Sequence, residues 1–81
     1  MKNIHERIRQ EEANFLHNLA VLRCRHGLSK KQMATILKIS IKTLNKIEQG
    51  IQPPRLGVEV IFEAMMHFHI PAAALFAQRL E

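Results

Sequence analysis

Residues 28 to 50 constrain this chain more than any other stretch. Ser29 is a good helix cap, and Gln32 stands three residues later, where it completes a reciprocal capping box. Leu28 and Met33 flank that cap at the spacing of a hydrophobic staple. Ser40 repeats the device, with Ile39 and Leu44 as its staple pair. Gly50 then supplies a stop, because glycine takes the left-handed conformation that closes a helix. Two short helices are therefore predicted to meet at a corner of about three residues.

The second helix of this pair divides its side chains by face. At about 100° per residue, Leu44 and Ile47 share one side with Thr43 and Glu48. Lys42, Asn45, Lys46 and Gln49 fall on the other. That outer face holds cations and amides and no acid. Such side chains pair with base edges and phosphates in a DNA major groove. A solvated helix face is the plainer use of the same residues. The distribution of charge favours the DNA reading.

The formal charge of +5 is concentrated on the pair. Residues 29–50 carry Lys30, Lys31, Lys38, Lys42 and Lys46 against Glu48 alone. Residues 51–81 carry Arg55 and Arg79 against Glu59, Glu63 and Glu81, so that third is slightly acidic. A positive field on one unit fits a polyanionic partner. Lys30 and Lys31 also sit at a helix N-terminus, where the peptide dipole disfavours cations. A phosphate bound there would reverse that penalty.

Around this unit, the chain reads as helix throughout. Residues 4–26 form one long predicted helix ended by Gly27, with Ile4, Ile8, Phe15, Leu16, Leu19, Ala20 and Leu22 at near-helical spacing. Its first part is more polar. It has three candidate uses: a frayed extension, an arm that contacts a partner, or a basic arm on a DNA backbone. Pro53 and Pro54 stiffen the loop after the pair. Arg55 in that loop is a phosphate contact or a solvated charge. Residues 57–68 form a further helix with only Glu59, Glu63 and His67 as a polar stripe, and Pro71 opens a last one that runs to Leu80. A chain of 81 residues buries only about 60 to 65% of its unfolded surface. This much apolar surface exceeds what the chain is expected to bury alone. Met66, Phe68, Leu75 and Phe76 are the expected self-association residues, in a two-fold dimer that presents two reading helices to successive major grooves. Service as core alone is the competing account of that face.

Several classes are disfavoured. Cys24 is the only cysteine, so no intrachain disulfide forms, in keeping with a reducing cytoplasm. No signal peptide or membrane-length apolar run is present, and a cytoplasmic location without membrane association is expected. His67 and His69 point to different sides of a helix and lack further ligands, so no metal or other cofactor is expected. The chain has no Asp, which removes a Ser-His-Asp set, and no catalytic residues are assigned.

Residues 17–76 resemble the helix-turn-helix of the Cro and phage-repressor family, the XRE-like regulators. The likeness runs through Arg23, Gly27-Leu28-Ser29, Ala34, Leu37, Ile39-Ser40, Leu44, Ile47-Glu48 and Gly50, then loosely to Leu75-Phe76. It implies an all-α, five-helix, lambda-repressor-like DNA-binding domain whose third helix enters the major groove. It also implies an ion pair between Arg23 and Glu48. Where the family has Gly in the corner, this chain has Lys38, which adopts positive φ only at a cost. The domain would span residues 17–81, with residues 1–16 as an extension of helix one. The expected base contacts are Ile41, Lys42, Asn45 and Lys46. The expected backbone contacts are Ser29, Lys30, Lys38, Ser40 and Arg55. The expected function is that of a homodimeric transcriptional repressor on double-stranded DNA, with no room after the motif for a separate effector domain. The alternative is a protein-interaction module, such as an antitoxin-like subunit that masks a toxin and binds DNA only for autoregulation.

Overall fold

The computed structural model describes residues 4–53 and 57–80. Among them are five α-helices and no strand: α1 (Ile4–Arg25), α2 (Lys30–Leu37), α3 (Ile41–Glu48), α4 (Val58–Phe68) and α5 (Ala72–Ala77). α1 packs against α3 and α5, and α2 packs against α3 and α4. At about 1.5 Å per residue, the 22 residues of α1 span about 33 Å. That length accounts for most of the 40 Å long axis.

Local signals set the helix ends. Ser29 Oγ accepts from the Gln32 amide at 3.0 Å, and the Gln32 side chain accepts from the Ser29 amide at 2.8 Å. Ser40 Oγ accepts from the Thr43 amide at 3.0 Å. Four helices close the same way, on a residue with positive φ: Gly27 after α1, Lys38 after α2, Gly50 after α3 and His69 after α4. In each, the next amide reaches back five residues, as Leu28 does to the Arg23 carbonyl and Ile39 to the Ala34 carbonyl, both at 3.0 Å. Glycine enters this conformation freely. Lys38 (φ 58°) and His69 (φ 54°) enter it against the clash of their own Cβ.

The core draws on every helix. Phe15, Leu16, Leu19 and Leu22 of α1 meet Met33, Ala34 and Leu37 of α2, Leu44 and Ile47 of α3, Val60 and Ala64 of α4, and Leu75 of α5. Alanine at 34 and 64 leaves room where helices approach closely. Residues 14–16, which the sequence reading assigned to the extension, are buried parts of this core. Only the arm from Ile4 to Glu11 is exposed throughout.

Two buried asparagines fasten the C-terminal segment to α1. Asn18 Nδ2 donates to the Leu75 carbonyl at 2.7 Å and the Gln78 carbonyl at 3.0 Å, and Asn18 Oδ1 accepts from the Leu80 amide at 2.7 Å. One turn earlier, Asn14 Nδ2 donates to the Phe76 carbonyl at 3.0 Å. The Phe76 ring stacks on Phe15 with centroids 4.7 Å apart.

This attachment corrects the expected self-association face. Leu75 is fully buried within the single chain, because α5 lies flat on α1, so it has no surface to offer a partner. Phe76 and Phe68 are half-buried against the same core. Of the four expected residues Met66 alone is openly exposed. The apolar excess is real but lies elsewhere on the helix: Val58, Phe62 and Met66 form an exposed stripe at four-residue spacing along α4.

Candidate nucleic-acid interface

The site is built on α3, and α3 is held from its inner side. Leu44 and Ile47 anchor it in the core. At its C-terminal end, Glu48 is gripped by a fork from α1. Arg23 Nε donates to Glu48 Oε2 at 2.6 Å, and a terminal nitrogen donates to Oε1 at 3.0 Å. The other terminal nitrogen reaches the Leu28 carbonyl at 3.1 Å. One guanidinium therefore ties α3 to α1 and to the corner that leads into α2. Both side chains are mostly buried, at 20% and 13% exposure. The hydrogen bond to Glu48 raises the Arg23 pKa above its ordinary value, outweighing the desolvation that lowers it.

The pairing has an electrostatic consequence. Glu48 is the single acid within residues 29–50, and its charge is turned inward and neutralised. The outer side of α3 then presents Lys42 in the open, Ile41 at 45% exposure, and Asn45 and Lys46 half-exposed. Gln49 follows in the open. The expected base contacts thus share one side of one rigid helix.

The expected backbone contacts divide. Ser29 stands exposed at the N-terminus of α2; its oxygen caps the helix and its proton remains to donate. Ser40 uses both functions internally: its oxygen accepts from Thr43 N and its proton goes to Thr43 Oγ1 at 3.0 Å. Lys38 pairs across to Glu63 of α4 at 3.2 Å, with 71% of its side chain exposed. An ion pair this exposed exchanges with another anion at little cost. Arg55 lies outside the described residues. Lys30 leans from α2 onto the reading helix, where its Nζ donates to Asn45 Oδ1 at 2.9 Å. Sequence periodicity places residues on faces within a helix, and it gave no sign of this contact between helices.

Among the described residues, no group of three His, Cys or Glu side chains is placed to hold a metal ion. No helix among them is long and apolar enough to cross a membrane.

Two capped helices at a tight corner, the second fixed from behind and basic in front, define a helix-turn-helix DNA-binding unit. Comparison with protein families agrees: a family model described as Helix-turn-helix matches residues 19–58, from within α1 to the first residue of α4. Residues 19–58 are a Cro and phage-repressor-like helix-turn-helix of the XRE type, the DNA-binding unit of a regulator. Comparison with curated proteins and with solved structures gives no match.

Proposed function

We propose that the chain is a transcriptional repressor that binds a two-fold-symmetric operator as a homodimer, with α3 in the major groove. The observation that carries this reading is the outer side of α3. It holds Lys42, Asn45 and Lys46 on a helix whose one acid is neutralised by Arg23. Lys42 and Lys46 address guanine edges or phosphates, Asn45 addresses a purine, and Ile41 meets a thymine methyl group. Ser29 and the exposed amide end of α2 hold a phosphate and set register. Lys38 and Ser40 add to that hold once a phosphate draws them from Glu63 and Thr43.

The dimer contact in this reading is the α4 stripe of Val58, Phe62 and Met66, against the same stripe of a second copy. Antiparallel pairing sets Phe62 on Phe62 and Val58 against Met66.

Enrichment sequencing from a random duplex library, at near-physiological salt, tests the reading. The expected result is a palindromic motif with half-sites about one helical turn apart. Lys42→Ala with Lys46→Ala abolishes selection while the helical fold survives. Phe62→Glu converts the dimer to a monomer in sedimentation and reduces the motif to a half-site. DNA retained with no enriched motif refutes sequence-specific repression.

The exposed Ile4 and Ile8 on the arm, with the α4 stripe, favour a second reading as a protein-interaction module. In that case Phe62→Glu or Ile8→Glu abolishes capture of a protein partner, and the paired lysine variant leaves it intact. Leu75→Glu is unsuited to this test, because it places a charge in the core.

A further inference from the structure

The hydrogen bond from Lys30 to Asn45 fixes more than a side-chain position. An ammonium group has donors and no acceptor, so the amide atom that faces Lys30 is the oxygen. That chemistry orients the Asn45 amide and leaves Nδ2 as the atom turned away. An asparagine reads adenine by a paired contact: its oxygen accepts from N6, and its nitrogen donates to N7. With Oδ1 held by Lys30, only the donating half of that contact is presented. Lys30 keeps two further N–H groups beside it. The pair therefore offers two donors side by side. Guanine answers with two acceptors, O6 and N7, whereas adenine sets its N6 donor against a donor.

We propose that Lys30 is a specificity-determining residue, and that Lys30 and Asn45 together read guanine. The inference rests on the DNA-binding reading and sharpens it, since the sequence assigned Asn45 to adenine and Lys30 to phosphate. It also accounts for a local conflict. A lysine in the first turn of α2 opposes the helix dipole, and its value to the chain is the partner it reaches on α3, fifteen residues on. Asn45 is half-buried, which narrows the directions its amide can face. The second lone pair of Oδ1 leaves adenine disfavoured rather than forbidden, so the preference is set at about tenfold.

The test is enrichment sequencing of the wild-type chain beside Asn45→Ala, Lys30→Met and Lys30→Arg, at one salt concentration. Circular dichroism checks that each variant is folded; both side chains lie outside the core, so each should be. The base pair whose preference disappears in Asn45→Ala is the one that Asn45 reads. The expected result is guanine there in the wild type, a shift toward adenine of about tenfold in Lys30→Met, and guanine kept in Lys30→Arg, which retains the donors. An adenine preference in the wild type overturns the inference. So does an unmoved preference in Lys30→Met, with uniformly weaker binding and a salt slope lower by about one per half-site, because Lys30 is then a phosphate contact. A wild-type chain that enriches no motif overturns the sequence-specific reading, and this inference with it. A clear motif that is insensitive to Lys30 overturns this inference alone.

Discussion

Replacing Asn18 by alanine removes three hydrogen bonds at once, all of them to backbone groups of residues 75–80. The Leu75 carbonyl, on a fully buried residue, loses the Asn18 amide that satisfies it, and the Leu80 amide loses its acceptor. A buried polar group left without a partner costs about 1–3 kcal/mol. Two such groups make about 2–6 kcal/mol, to which the void left by a fully buried side chain adds. The Gln78 carbonyl is exposed enough to turn to water and is left out. A chain of 81 residues has a total stability of about 4–12 kcal/mol. At the middle of both ranges the single change removes about half of it. For a domain of this size, that is a fall in Tm of at least about 8 °C. Urea unfolding followed by far-ultraviolet circular dichroism gives the free energy, and its slope reports whether α5 has come loose before the rest. Six residues of α5 cannot persist as an isolated helix, so loss of the clamp is expected to release the segment. Asn18→Asp provides a control. It keeps the shape and the acceptor for Leu80, but it sets a carboxylate against two carbonyls, so it is expected to destabilise at least as much. A loss below about 1 kcal/mol for Asn18→Ala, with an unchanged slope, refutes the reasoning. Leu75 packing and the Phe15–Phe76 stack would then be holding α5 without the amide.

Arg23→Ala leaves Glu48 mostly buried without its partner and is expected to cost about 3 kcal/mol in urea unfolding; Arg23→Lys recovers only a minor part, because one ammonium cannot make the fork. The raised Arg23 pKa means that this stabilisation is fully present below the ordinary arginine value and is lost only as pH rises through the higher folded value. The difference between wild type and Arg23→Ala should therefore hold steady from about pH 7 to pH 9. Lys38→Gly relieves a left-handed lysine and gives up an exposed ion pair, for a net gain of about 0.5–1 kcal/mol, measured as a higher Tm with the same helix content. In DNA binding, Lys42→Ala with Lys46→Ala removes four lysines from the dimer and should lower the slope of log Kobs against log salt by about 3.6, if each lysine neutralises one phosphate; an unchanged slope places all of them on base edges.

How much of this was legible in the sequence follows from how far apart the interacting residues lie. The paired helices are specified almost wholly within 22 residues: each cap acts on an amide three positions on, and the amide after each stop reaches a carbonyl five positions back. Ser29, Gln32, Ser40 and Gly50 could be read without knowing the rest of the chain. The phase of Leu44 and Ile47 then fixed which side of α3 faces outward. His69 escaped the same reading because nothing about histidine asks for positive φ; only the packing of α4 and the approach to α5 demands it there. Asn14 and Asn18 escaped for another reason. Their partners lie 57 to 62 residues away, and an amide on a helix face carries no mark of a distant carbonyl. A signal was present: the two stand four apart in line with Leu22, on the apolar side of α1, where an amide is tolerated only with a partner. The placement of Leu75 on a partner surface failed on related grounds. Counting apolar residues showed an excess over the available core, which the exposed stripe on α4 bears out, but a count cannot say which residues lie outside. That choice was made by the docking of α5 on α1. The matched family segment ends at residue 58 and begins at residue 19, so the asparagine clamp, the Phe15–Phe76 stack and Leu75 all lie beyond it. The part that reads DNA is local and recognisable, yet α1 is the support for both α3 and α5. A chain ending at residue 70 would keep every residue of the matched segment and lose the cover over Phe15 and Asn18. It is expected to unfold at a far lower urea concentration than the full chain, and equal stability would mean that the reading unit stands without α5.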